Sequence, residues 1–466
     1  MPTTAIDPPE LTTLRVRIEG TRILDCLGRQ LLLRGVNAGG RSKLPPFMPF
    51  PYRESGMASQ ADAPPFAAAL AAYCDQLASW GLSVVRVPFS WEALEPTRGT
   101  FDDDYLDRYA QLAGAFGDRG LRVIVDFHQD VFARPYAGDG FPLWACPQPA
   151  PAPARTNHAW FMGYLQDDQV RLAFDRFWRN EDGLRDAFEA MWRHLAARLW
   201  QLDAVIGFEV INEPGWGSAD MYPWAKDVLT PFYSEMVVAV RGAAPDAPVF
   251  FDSTGGDALS CSTGLERPAG EGLVFAPHFY APEVIMEGRW SGNLKATQPL
   301  ANWATLGRQW DVPVLLGEFG VKSSAEGAAR YVRANYDKLD ELLMHGTLWE
   351  CSTTADDWNE EGMSVTAPGG VEGPTVPELV RPFPRATAGR LESFAYEAED
   401  RRAELRYQAE AGGVTEIVTP RRVFPEGVTA TLEGVAGVTY HDGTTEQLLV
   451  RADQAGSACV KLAGMS

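Results

Sequence analysis

Eight apolar, strand-like runs alternate with amphipathic helical stretches along the first four-fifths of the chain, and period-two alternation takes over after about residue 382. Together these patterns predict an α/β chain, a (β/α)8 TIM barrel followed by a small C-terminal antiparallel β-sandwich. A third observation agrees. Ile211-Asn212-Glu213-Pro214 and Leu316-Gly317-Glu318-Phe319-Gly320 each place a glutamate at the end of an apolar run. In a barrel of parallel strands the carboxyl ends form one face, where residues distant in sequence meet.

A hairpin is expected over 14–27, and strands over 31–37, 84–90, 122–129, 205–212, 248–253, 273–280, 313–317 and 346–351. The run from Ala204 to Ile211 is mostly apolar, as a strand buried on both faces of a parallel sheet should be. Between strands, Phe66, Leu70, Tyr73, Leu77 and Trp80 recur at steps of three and four, and Gly81 follows as a stop. Tyr105, Tyr109, Leu112 and Phe116 repeat the pattern before Gly120. Both stripes read as packing against the barrel. Past the proline-rich segments around 373–385, Ala403, Leu405, Tyr407 and Ala409 alternate with Glu404, Arg406, Gln408 and Glu410, and Ala458, Val460 and Leu462 alternate near the end. This places a catalytic barrel over 1–380 and a β-sandwich over 381–466. No catalytic constellation falls in the sandwich, which reads as a packed appendage rather than a sugar-binding module.

A chain of 466 residues with 45% hydrophobic content can bury one large core and a second smaller one. A formal charge of −21 argues against nucleic acid or an anionic membrane as an electrostatic partner. The six cysteines, 26, 74, 146, 261, 351 and 459, are scattered, with no CxxC pair or His/Cys cluster at metal-ligand spacing, so no structural zinc is expected. The first ten residues lack a basic start and an apolar core, so the chain as written reads as cytoplasmic, or as secreted if it is a processed mature form. Oligomeric state is left open.

Two facing carboxylates at strand ends suit retaining glycoside hydrolysis, in which one acid protonates the departing oxygen and a carboxylate about 5 Å away attacks the anomeric carbon. Other expected strand ends carry polar and aromatic residues: Asp126-Phe127-His128-Gln129-Asp130, His278-Phe279-Tyr280 and Trp349-Glu350. His128 and Asp130 can bind hydroxyls while Trp349 stacks under a sugar ring. Arg86 can hold the nucleophile ionised, Tyr280 can contact the same carboxylate, and Asn212 can bond a sugar 2-hydroxyl. Taken singly, each also has a structural reading, as an ion-pair partner or satisfied core residue. Neither a metal nor an organic cofactor is required. A metal-dependent amidohydrolase barrel would want an HxH pair on the first strand, and 31–37 contains no histidine.

With these motifs in order along the chain, residues 14–380 resemble a clan A barrel of glycoside hydrolase family 5, and within it the endoglycoceramidases, with the C-terminal part similar to that subgroup as well. The resemblance implies that Glu213 is the acid/base and Glu318 the nucleophile, with Arg86 and His278 supporting the nucleophile. It implies substrate contacts from Lys43, His128, Asp130, Asn212, Tyr280 and Trp349. It further implies a glycosphingolipid substrate, no nucleic acid, and transient contact with a micelle or membrane. A glucosylceramide or steryl β-glucosidase, a soluble β-glucan hydrolase and a non-catalytic glycolipid-binding protein are the alternatives. The segment between the third and fourth strands is rich in aromatics, including Trp144, Trp160, Phe161, Tyr164, Phe174, Phe177 and Trp178. It either lines a lipid aglycone or packs the connection against the barrel, and 47–52 can extend the same wall.

Overall fold

In the computed structural model, the described residues are 6–53, 62–153, 156–354 and 357–465, and residues 1–5 of the N-terminal segment discussed above lie outside them. Eight strands run parallel in one sheet. They are β1 (Arg34–Asn37), β2 (Val84–Phe89), β3 (Arg122–Phe127), β4 (Val205–Glu209), β5 (Val249–Phe251), β6 (Leu273–Phe275), β7 (Leu315–Leu316) and β8 (His345–Leu348). Their order is β7-β8-β1-β2-β3-β4-β5-β6, and a parallel bridge between Phe275 and Val314 joins the two ends, closing the barrel.

Helices α1 (Phe66–Ser79), α2 (Asp103–Gly117), α3 (Asp168–Trp178), α4 (Leu184–Leu199), α5 (Thr230–Ala243), α6 (Leu300–Trp310) and α7 (Ala328–Leu342) cover the barrel. The expected stripes on α1 and α2 face inward, with Tyr73, Leu77, Tyr109 and Phe116 all buried. Gly81 and Gly120 follow them at φ +73° and +74°, a left-handed turn that suits glycine after a helix. Inside the barrel, Val84, Ile124, Ile206, Phe250, Val274 and Leu315 form a plug with Ile23, Leu31 and Leu33. Since strand residues alternate faces, the next inward positions on β2 and β3, Arg86 and Asp126, lie one layer above this plug.

The C-terminal region is a two-sheet sandwich. β9 (Phe383–Thr387), β12 (Val414–Val418), β14 (Gly437–Asp442) and β15 (Gln447–Ala452) belong to one sheet, and β10 (Gly389–Glu397), β11 (Arg402–Ala409), β13 (Val428–Glu433) and β16 (Gly456–Gly464) to the other. Ala403, Leu405, Tyr407 and Ala409 point into its core with Val460 and Leu462. The first sheet does not begin at residue 381. The expected hairpin, formed by Arg17–Glu19 and Arg22–Leu24, continues through Gln30–Leu31 onto β9. The apolar run 31–37, expected as one strand, is therefore divided between two sheets. Leu32 packs in the sandwich core and Leu31 and Leu33 in the barrel plug, so the three consecutive leucines serve two cores. All six cysteines are free thiols, five of them buried.

Candidate active site

At the carboxyl end of the barrel, the buried Arg86 guanidinium organises the site. Nε and Nη2 grip the Glu209 carboxylate, both at 2.8 Å, while Nη1 donates to Glu318 Oε1 at 2.8 Å and Asn37 Oδ1 at 2.9 Å. Nη2 also reaches Asn212 Oδ1 at 2.8 Å and lies 3.1 Å from Asp126 Oδ2. A planar, five-donor fork can serve so many acceptors at once, which a lysine cannot. The other oxygen of Glu318 accepts from Tyr280 Oη at 2.9 Å.

Glu213 lies four residues beyond the end of β4 and carries φ +38°, a left-handed value that costs energy in a residue with a side chain. Three bonds hold it there. Its N–H donates to Asp252 Oδ2 at 3.0 Å, and Gln129 Nε2 donates to the carbonyls of Asn212 and Glu213 at 2.8 and 2.9 Å. Its carboxyl oxygen Oε1 lies 2.8 Å from His278 Nδ1, which is 3.5 Å from Glu318 Oε2. One oxygen each of Glu213 and Glu318 and one nitrogen of His278 fall within 4.8 Å of one another. A second such set joins Glu209, Asp252 and His278. In the first set Glu213 Oε1 and His278 Nδ1 are at hydrogen-bonding distance, whereas in the second His278 Nε2 and Asp252 Oδ2 are 3.4 Å apart.

Protonation follows from burial and charge. Burial, and next the Asp130 charge, push Glu213 up to about 7. Burial pushes His278 down to about 3, leaving its ring neutral. His128 is also desolvated, yet Asp126 and Asp130 outweigh that and bring it up to about 10. His128 Nδ1 is 2.8 Å from Asp126 Oδ2, Nε2 is 3.5 Å from Asp130 Oδ2, and the ring stacks on Trp349 with centroids 5.0 Å apart.

Beyond His128 lies a cationic cage. Lys43 Nζ donates to Asp130 Oδ2 at 2.6 Å, approaches Glu361 Oε1 at 3.8 Å and sits 3.8 Å from the Trp358 ring centroid. Desolvation works against this cation, but Asp130, Glu361 and Asp139 outweigh it and hold its pKa above the usual lysine range.

All ten residues singled out in the sequence, Lys43, Arg86, His128, Asp130, Asn212, Glu213, His278, Tyr280, Glu318 and Trp349, lie in this one linked region. His278 stands nearer Glu213 than Glu318. Sequence reasoning missed Glu209, Gln129, Asp252, Trp358 and Glu361. Glu209 and Asp252 had a signal, a carboxylate within or at the end of an otherwise apolar strand run, whereas Trp358 and Glu361 fall in an aperiodic loop after β8. Most of the aromatic insert packs: Phe141, Tyr164, Phe174, Phe177 and Trp178 are buried, as are Met48, Phe50 and Tyr52. Phe161 and Leu165 remain exposed, at 45% and 56%.

A closed parallel barrel whose carboxyl end brings two glutamate carboxylates within 4.8 Å is the arrangement of a retaining glycoside hydrolase. Residues 50–354 match the family described as Cellulase (glycosyl hydrolase family 5), and residues 381–462 match the Glycoside hydrolase family 5 C-terminal domain. The chain belongs to glycoside hydrolase family 5. It is similar to Endoglycoceramidase I of Rhodococcus hoagii (strain 103S), 27% identical over 97% of this chain and 88% of that one. It is also similar to the solved Endo-glycoceramidase II from Rhodococcus sp. in its Ganglioside GM3 complex, 26% identical with a TM-score of 0.78 over 96% of this chain and 100% of that one. The same enzyme has been solved as a lactosyl-enzyme intermediate. The Glucosylceramidase of Rhizopus delemar (strain RA 99-880 / ATCC MYA-4621 / FGSC 9543 / NRRL 43880) is 29% identical over 43% of this chain and 35% of its own length.

Proposed function

We propose that this glycoside hydrolase cleaves the β-linkage between glycan and ceramide in glycosphingolipids by double displacement. The observation that carries the reading is the Glu213–Glu318 pair, and the similarity to endoglycoceramidases along nearly the whole chain supplies the substrate class. Glu318, gripped by Arg86 and Tyr280, attacks the anomeric carbon, while protonated Glu213 gives its proton to the glycosidic oxygen and ceramide departs. Glu213, now a carboxylate, deprotonates a water that hydrolyses the glycosyl-enzyme, and the sugar leaves with retained configuration. A pKa near 7 suits a group that must act as acid and then as base. His128, Asp130, Asn212 and Trp349 hold the sugar next to the cleaved bond, and Lys43 with Asp130 and Glu361 holds the sugar beyond it. Residues 1–380 carry the catalytic barrel and 381–466 most of the sandwich.

For the lipid, the segment that follows Tyr280 in the chain presents Met286, on the short helix Pro282–Glu287, and Leu294 at 81% and 65% exposure. These apolar side chains touch the micelle or membrane that presents the substrate, a contact that the −21 charge leaves to hydrophobic forces.

Mass spectrometry of products from detergent-dispersed glycosphingolipids tests the reading. Intact oligosaccharide with free ceramide is expected. Glucose alone would assign the protein to the glucosylceramidase alternative, and cleavage of soluble glucans only would refute the lipid substrate. Glu318→Gln is expected to abolish turnover while sparing binding.

A further inference from the structure

His278 is a neutral ring whose two nitrogens face different partners. Nδ1 looks at Glu213 Oε1, 2.8 Å away, and Glu318 Oε2, 3.5 Å away. Nε2 is buried, has no hydrogen bond in this geometry, and faces Asp252 Oδ2 at 3.4 Å, the outer edge of bonding distance. A nucleophile reacts as a carboxylate and can only accept, so an Nδ1 lone pair directed at Glu318 would be repelled. Nδ1 therefore carries the proton. In a neutral imidazole the other nitrogen is then a bare acceptor, and a buried acceptor without a donor costs free energy. Asp252 is the group in place to supply the donor.

We infer that Asp252 is a positioning residue for the acid/base glutamate. Its carboxyl group, protonated on Oδ2, donates to His278 Nε2, and this fixes the Nδ1–H tautomer that donates to Glu213 Oε1. Glu213 Oε2 is thereby left as the oxygen that exchanges protons with substrate and water. Gly255 keeps that oxygen uncovered: a Cβ on it would lie 2.5 Å from Glu213 Oε2. Asp252 Oδ2 also accepts the Glu213 N–H at 3.0 Å, so one carboxyl group sets both the backbone turn and the side-chain proton of the same residue.

The surrounding charges agree with a protonated Asp252. It is fully buried, and Glu209 and Glu213 face it, so burial and then these like charges hold its pKa well above the usual carboxylate range, against the Arg86 cation and the bond from the Glu213 N–H. The His278 ring is faced by Glu318, Arg86, Asp126 and His128, and burial dominates, which keeps it from taking a second proton. The inference rests on the assignment of Glu213 as acid/base.

Nitrogen NMR of the wild-type protein labelled with 15N-histidine reads the tautomer directly, and His278→Asn assigns the signal among the six histidines. A neutral ring protonated at Nδ1 with Nε2 accepting is expected; protonation at Nε2 overturns the inference. Kinetics of Asp252→Asn provide the second measurement, with the pH profile read on phenyl β-lactoside, whose poor leaving group needs the proton of Glu213, and the burst on 2,4-dinitrophenyl β-lactoside, whose leaving group does not. One amide atom at the Oδ2 position can accept from Glu213 N–H or donate to Nε2, but cannot do both. When it accepts, the ring switches to Nε2–H and the Glu213 carboxylate loses a donor. The basic limb of kcat/KM is then expected to rise by about one pH unit, and hydrolysis of the glycosyl-enzyme slows enough for a burst of dinitrophenol. A uniform loss of rate with the limb unmoved, in a variant whose His278 signal shows the Nε2–H tautomer, would mean a structural role only and refute the assignment. Failure of the wild type to hydrolyse these glycosides would count against the proposed function, while the NMR result would still decide the tautomer.

Discussion

Asp130→Asn separates the electrostatic role of Asp130 from its place in the sugar site. Glu213 rises from 4.5 to about 7, with burial the largest cause and Asp130 the next. At about 1.4 kcal/mol per pH unit, the whole rise is a preference of about 3 kcal/mol for the protonated form. Neutralising Asp130 removes the smaller share, about half a unit to one unit. Lys43 then loses the partner that lies 2.6 Å away, and the uncompensated cation favours the Glu213 carboxylate, which lowers its pKa further. Glu213 acts first as an acid, so activity is lost on the alkaline side as it deprotonates, and a lower pKa moves that loss to lower pH. The assay is kcat/KM against pH on a soluble aryl β-lactoside, comparing the variant with wild type. Lost sugar contacts lower the height of the profile, whereas only the Glu213 environment moves the limb. A basic limb that stays in place or moves up would refute the electrostatic assignment.

Arg86→Lys replaces a five-donor fork with a point charge and leaves several acceptors among Glu209, Glu318, Asn37 and Asn212 unpaired, so turnover should fall by about two orders of magnitude or more. Arg86→Ala should in addition destabilise the fold by about 3–5 kcal/mol, read by denaturant unfolding. Glu209 and Glu361 lie near 7, and Asp139 and Glu350 near 8, all raised chiefly by burial. The folded protein then keeps protons that the unfolded chain has released above about 4, so this stabilisation is full at low pH and is lost as pH rises through 7–8. Thermal midpoints should therefore fall from slightly acidic to alkaline buffer, and a midpoint rising across that window would contradict the buried acids. Met286→Ser with Leu294→Ser should cut kcat/KM on vesicle-borne glycolipid by about tenfold, with the aryl lactoside rate unchanged; equal losses on both substrates would place these side chains in folding rather than in lipid contact.

Much of the fold was legible in the chain because barrel strands bury both faces and so appear as short apolar runs, and because helices that cover a barrel need one apolar stripe. The sequence places Glu213, Glu318, His128 and Tyr280 at or next to such strand ends and Arg86 within one, and a parallel barrel sends every strand end to one face. What it could not decide are relations between segments far apart. The division of 31–37 between two sheets depends on β9, some 350 residues later, pairing with Gln30–Leu31. Packing of Phe174 and Phe177, and not of Phe161, depends on which side of the insert meets α4 and the barrel. The partners of His278, and with them the proton that Glu213 carries, depend on distances of 2.8 and 3.4 Å among the ends of three strands. Local pattern records which side chains must leave water, since that is a property of each segment. Hydrogen-bond geometry and pKa arise only when several segments exclude water from the same small volume.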